Sequence, residues 1–134
     1  MSDIPKELLY TEDHEWVRRE ASDPNLVSVG ITHYAQDKLG DIVMVELPEV
    51  GDTVDPGGAF GTVESPKSVS DVFSPVGGEV AAVNEGLEDE PELINSEPYE
   101  GGWIVRISLS NPQELDGLMT PDAYNAFCAG LDED

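Results

Sequence analysis

Residues 61–75 constrain the fold most tightly, because they read as two short β-type runs joined by a four-residue turn. Residues 59–63 mix small, aromatic and β-branched side chains. After the turn, Val69 and Phe73 alternate with Ser70 and Ser74, the pattern of a half-buried strand. Between them, Ser65-Pro66-Lys67-Ser68 suits a tight turn: Pro66 presets φ at the second position, and Ser65 can bond the turn backbone. Lys67 is therefore expected at a hairpin tip, in water, without an ion pair or a packing surface. The chain has 29 acidic residues and only three lysines, Lys6, Lys38 and Lys67, so a lysine kept on an exposed tip carries more information than usual.

The remaining pattern is also mainly β. Residues 8–10 and 16–19 read as short strands around the polar turn at 11–14, and residues 21–25 as a turn cluster. Residues 26–31 alternate as a strand. Thr32 is placed to cap a short helix over 33–39, which Gly40 ends. Residues 42–47 are nearly all apolar and predict a buried strand, followed by turns at 48–52 and 56–58. A turn at 75–78 leads into a strand at 79–83. Residues 47–54 faintly echo 74–80, as two similar strand–turn–strand units would in a pseudo-symmetric β-sandwich. The acidic stretch 84–92 predicts a surface turn or short helix, and 103–109 a strong strand. Asn111-Pro112 starts one short helix bearing Leu115 and Leu118. Thr120-Pro121 starts a second, on which Tyr124, Phe127 and Cys128 form a packing stripe. Residues 1–7 read as a loose lead-in and 131–134 as a fraying end. One domain over residues 1–134 is expected from the length.

The formal charge of −23 excludes whole classes of function. Nucleic-acid binding needs a basic face, and anionic membranes repel so acidic a surface. No apolar run is long enough to span a bilayer. The first five residues carry no secretory or transit signal, and a lone Cys128 forms no internal disulfide, so a reducing cytoplasm is expected. Patterned β-branched and aromatic runs speak against disorder. A solvated acidic shell around an ordinary core is the composition expected of a high-salt cytosol, and hence of a halophile.

Catalytic signatures are absent from the pattern. There is no nucleophile elbow, no phosphate-binding glycine loop and no metal-ligand spacing, and two histidines with one cysteine make a structural zinc site improbable. His14 beside Glu15 reads most simply as a turn histidine, and His33 as a first-turn helix residue.

Glu64-Ser65-x-Lys67-x-x-Ser70-Asp71, then Ser74-Pro75-x-x-Gly78-Glu79-Val80, resembles the lipoyl-attachment segment of the glycine cleavage system H protein family. The likeness continues through His14-Glu15-Trp16-Val17, Gly30-Ile31-Thr32, Tyr34-Ala35-Gln36, Leu39-Gly40-Asp41-Ile42-Val43, Val45-Glu46-Leu47-Pro48, Val50-Gly51-Asp52, Asn95-Ser96, Pro98-Tyr99 and Gly102-Trp103. The residue before the lysine is usually Val in the family; here it is Pro66. Biotin carriers commonly set their lysine between two methionines, whereas Pro66 and Ser68 flank this one, so lipoate is the expected cofactor.

The resemblance implies a lipoyl/biotinyl-type flattened β-barrel sandwich, a barrel-sandwich hybrid, with short helices and a C-terminal helix. It implies a non-catalytic, monomeric carrier with lipoate covalently attached to Lys67. Glu64, Gly51 and Gly78 would present the lysine to the lipoate-attaching enzyme. Three enzymes would visit the arm: a pyridoxal-phosphate glycine decarboxylase (P protein), a folate-dependent aminomethyltransferase (T protein) and dihydrolipoyl dehydrogenase (L protein). Near residues 13–16 a pocket would shelter the loaded aminomethyl group, with Glu15, Asp71 and His14 as its candidate residues and Trp16 packing beneath. A lipoyl donor for 2-oxoacid dehydrogenases and an unmodified interaction module stand as alternatives.

Overall fold

The computed structural model describes residues 8–20 and 23–132. Two antiparallel sheets carry the fold. The larger contains β1 (Leu9–Tyr10), β2 (Glu15–Glu20), β3 (Asp23–Ile31), β5 (Thr53–Val54), β8 (Gly78–Val83) and β9 (Val105–Leu109), in the order β1-β2-β3-β9-β8-β5. The smaller contains β4 (Met44–Glu46), β6 (Ala59–Ser65) and β7 (Ser68–Phe73), in the order β4-β6-β7. Short helices α1 (His33–Leu39), α2 (Gly86–Asp89) and α3 (Leu93–Ser96), a 3-10 helix (Pro112–Gly117) and the C-terminal helix α4 (Pro121–Asp132) complete the chain. The architecture is mainly β, a flattened sandwich of open sheets with short helices.

The two sheets share one core. Val17, Val27, Val29, Val80, Val105 and Ile107 of the larger sheet meet Val45, Val63 and Val72 of the smaller, and Leu87, Ile94 and Leu115 close the ends. Each such side chain contributes roughly 1.5–3 kcal/mol relative to leaving it exposed. A second cluster, Leu8, Tyr10, Trp16 and Tyr124, fastens α4 to the β1–β2 hairpin. The Tyr10 and Tyr124 rings stack with centroids 4.6 Å apart, and Tyr10 and Met119 exchange backbone hydrogen bonds.

Local chemistry explains the elements. Thr32 Oγ1 accepts from Ala35 N–H at the start of α1; Gly40, at φ +87°, ends the helix with its N–H on the Gln36 carbonyl. Asn111 and Thr120 cap the 3-10 helix and α4 in the same way. The faint repeat takes physical form: Gly51 N–H donates to the Val80 carbonyl and Val80 N–H to the Asp52 carbonyl, so the echoing segments lie side by side.

Several expectations are corrected. The 42–47 run is not a buried strand. Only β4 forms, at the sheet edge, with Ile42 and Val45 buried and Val43 and Met44 exposed. In β7 the buried face is not that of Val69 and Phe73. Pairing of Ser65 with Ser68 and Val63 with Ser70 turns Val72 inward, leaving Val69 in water and Phe73 half-buried. The expected turn at 21–25 is shorter, since β3 begins at Asp23; residues 21 and 22 lie outside the described residues. The strand at 103–109 begins at Val105, although Ile104 N–H already bonds the Val29 carbonyl. α3 was not expected. Residues 1–7, 133 and 134 also lie outside the described residues, while α4 runs to Asp132.

Candidate functional site

Lys67 stands at the end of the smaller sheet. Ser65 pairs with Ser68, leaving Pro66 and Lys67 as the two loop residues, both exposed. No carboxylate pairs with Lys67 within 4.0 Å among the described residues. The expectation of a lysine without any packing surface is corrected, because its side chain lies back over Gly40. A Cβ built on Gly40 would stand 3.3 Å from Lys67 Cε and 3.8 Å from Nζ. Any larger residue would crowd the lysine, besides being strained at φ +87°.

Asn95 of α3 holds this floor in place. Its Nδ2 donates to the Gly40 carbonyl at 2.9 Å and to Gln36 Oε1 at 2.8 Å, while its Oδ1 accepts from Ile42 N–H at 2.8 Å. One side chain thereby ties the end of α1 to the start of β4. Sequence reasoning missed both roles: Gly40 read only as a helix stop, and Asn95 served only in the family likeness.

The residues expected to present the lysine divide between the sheets. Glu64 is half-buried on β6, three residues before Lys67, paired with Met44 and Val69. Gly51 and Gly78 lie together on the β5–β8 edge of the larger sheet. Gly51 turns the chain at φ +99°. Gly78 is required by a close approach, since a Cβ there would fall onto the Ser108 carbonyl oxygen.

Glu15 is buried beside an open cleft of about 290 Å³, lined also by Tyr10, Thr11, Ser74, Pro75 and Met119. Its Oε2 accepts from Phe73 N–H at 3.1 Å, and its Oε1 accepts from Thr11 Oγ1 at 2.9 Å. The first bond carries a side chain of the larger sheet to β7, an edge strand of the smaller. Burial pushes the Glu15 carboxyl up to about 7, with the two hydrogen bonds opposing the shift. Trp16 does pack in the adjoining cluster, its Nε1–H donating to the Pro98 carbonyl at 2.9 Å.

His14 and Asp71 do not line this cleft. His14 takes the left-handed position, φ +67°, that closes the β1–β2 hairpin. Its Nδ1 meets the Tyr124 hydroxyl at 2.8 Å, and its ring packs against Tyr34 and Phe127. Burial lowers its pKa, with Asp13 opposing. Asp71 is exposed on the outer face of β7, two residues from Phe73. Tyr124 is buried more deeply than a packing stripe requires: its hydroxyl also meets Thr32 Oγ1 at 2.7 Å, joining α4 to the cap of α1.

The family model for "Glycine cleavage H-protein" matches residues 8–130. The chain belongs to the glycine cleavage H-protein family. A glycine cleavage system H protein from Listeria welshimeri is 54% identical over 129 residues, covering 96% of this chain and 98% of its own. One from Alcanivorax borkumensis is 52% identical over 126 residues, covering 94% and 96%. The crystal structure of the glycine cleavage system H protein from Mycobacterium marinum superposes with a TM-score of 0.82 at 40% identity, covering 92% of this chain and 97% of that one. The match spans residues 8–130, so the lysine hairpin, Gly40 and the Glu15 cleft all lie within the matched segment.

Proposed function

We propose that this chain is the lipoyl carrier of the glycine cleavage system, with lipoate joined as an amide to Lys67 Nζ. The observation that carries the proposal is Lys67 itself: exposed, free of ion pairs among the described residues, and held on a two-residue turn in a member of this family. The residues fit the group. The absent Cβ of Gly40 leaves room beneath the lysine, and Lys67 is exposed. Deprotonated Nζ attacks the carbonyl carbon of an activated lipoyl donor held by the attaching enzyme. The C–N bond forms as the leaving group departs, and the surplus amine proton goes to solvent.

When attached, lipoate supplies a dithiolane that takes up an aminomethyl unit from the glycine decarboxylase, yields it to the folate-dependent aminomethyltransferase and is reoxidised through dihydrolipoyl dehydrogenase. The chain contributes tethering and shelter, not catalysis. Acylation removes the Lys67 charge, and the tether keeps the arm's end at high local concentration for each partner. Glu64, Gly51 and Gly78 serve presentation: Glu64 flanks the turn, and the glycines fix the β5–β8 edge. Glu15 is the acceptor for an amine carried into its cleft. A carboxyl near neutrality ionises when an ammonium arrives beside it, and the buried carboxylate then pairs with the amine.

Intact mass of protein from its native host, followed by assay with the decarboxylase and glycine, tests the proposal. One added lipoyl group on Lys67 and glycine-dependent carbon dioxide release are expected. An unmodified Lys67 would overturn the carrier role. A lipoylated protein that serves only 2-oxoacid dehydrogenases would replace it with a relay.

A further inference from the structure

Four large apolar side chains stand exposed among the described residues: Val43 at 57%, Met44 at 53%, Val50 at 62% and Val69 at 63%. Three of the four surround the lysine hairpin. Met44 pairs with Glu64, and Glu64 pairs with Val69, so the three form one row across the smaller sheet. Directly paired residues of antiparallel strands project from the same face. Val43, the residue before Met44, is exposed as well, its N–H donating to the Glu64 carbonyl at 2.8 Å. Lys67 follows Glu64 by three residues and precedes Val69 by two.

The fold does not need this stripe to be apolar. The inner face of the same strands already buries Val45, Val63 and Val72. The next row on the outer face is Glu46, Thr62 and Asp71, with Thr62 Oγ1 donating to Glu46 at 2.9 Å. Next to that polar row, on the side of the turn, Met44 and Val69 are exposed and flank Glu64, close in sequence to Lys67. On so acidic a chain, exposed valine and methionine together mark a contact surface.

We infer that the row Met44–Glu64–Val69 is the docking surface for the enzyme that acylates Lys67. The inference rests on the carrier reading above and names what that enzyme grips. Its complementary surface is an apolar patch with a basic rim, because Glu46, Glu64 and Asp71 share this face and the chain carries −23. The same charge disfavours a second copy of this chain as occupant, since each copy would bring −23 to the other. Docking on the row leaves the turn free to enter the active site, where Nζ forms the amide.

Initial rates of acylation of the apo protein, measured with the lipoate-attaching enzyme, lipoate and ATP, separate KM for the acceptor from kcat. The double variant Met44→Ser/Val69→Ser is expected to keep the wild-type melting temperature and kcat while KM rises roughly tenfold. Val50→Ser, exposed but outside the row, is expected to match wild type. A double variant with wild-type KM overturns the inference, as does one that loses only kcat. A wild-type dimer that the double variant dissolves would assign the row to self-association and also overturn it. If wild-type Lys67 is not acylated while a control acceptor is, the carrier reading fails first and the docking surface with it.

Discussion

Replacing Glu15 by Gln isolates the energy of one buried carboxyl. Glu15 keeps its proton up to about 7 in the folded chain, against 4.5 for the unperturbed group. Between those values the folded state binds more protons than the unfolded state, so stability falls as pH rises through the window. At about 1.4 kcal/mol per pH unit, the full burden on the ionised form is about 3 kcal/mol, reached above pH 7. Gln is isosteric and never ionises. Its oxygen can accept from Phe73 N–H in place of Oε2, and its amide can donate to Thr11 Oγ1. The variant is therefore expected to gain stability relative to wild type as pH rises, by about 2–3 kcal/mol between pH 5 and pH 8.5.

Urea unfolding of both proteins across that range, in constant high salt, gives the difference directly. Titrations common to both chains, including that of His14, cancel in it. A difference independent of pH would refute the reasoning, because Glu15 would then share one pKa in both states. A wild type that gains on the variant with rising pH would invert it, marking Glu15 as a carboxylate stabilised in its charged form.

Lys67→Arg is expected to fold normally and to acquire no lipoyl group, since a guanidinium stays protonated and is a poor acyl acceptor; intact mass after treatment with the attaching enzyme decides it. In the isolated, amine-loaded protein, Glu15→Gln is expected to speed loss of the amine while Asp71→Ala, which stands outside the cleft lining, leaves the rate unchanged; timed release of formaldehyde and ammonia measures both. Tyr124→Phe removes a buried hydroxyl shared by Thr32 and His14 and is expected to lower stability by roughly 1–3 kcal/mol in chemical unfolding, with β-sheet content unchanged. The acidic shell is expected to raise the melting temperature as salt rises from 0.1 M to 1 M, where the Debye length shrinks from about 10 Å to 3 Å; a flat or falling series would contradict the high-salt reading.

Local signals in the sequence were read well where backbone geometry forces a residue type. Thr32 and Gly40 bound α1 as the capping pattern predicts, and Ser65-Pro66-Lys67-Ser68 forms the expected turn. The two corrections to the buried faces share one cause. Residues 42–47 are nearly all apolar and Val69 is apolar, a pattern that points to the core. The register of β6 on β7 decides which face is inside, and register is a long-range property. Once Val63 and Val72 take the core, Val69 must face water, and Met44 follows it through the shared row. A residue that looked like core then becomes the evidence for a contact surface.

The site itself was legible one residue at a time and illegible as an assembly. Lys67 stood out because lysine is scarce and its turn is tight. Its floor depends on Gly40, on Asn95 more than fifty residues later, and on a helix, α3, that no periodicity announced. Glu15 was named as an acceptor on resemblance, yet its pKa comes from burial between sheets that only the folded chain brings together. The same contact sets a limit on sequence reading: Glu15 is bound by the backbone N–H of Phe73, a group every residue but proline possesses, so no side chain could have advertised it. What distinguishes that N–H is its position on an edge strand, where no neighbouring strand pairs with it. The carboxyl of β2 fills the vacancy, and so a structural tie between the two sheets doubles as the wall of the cleft.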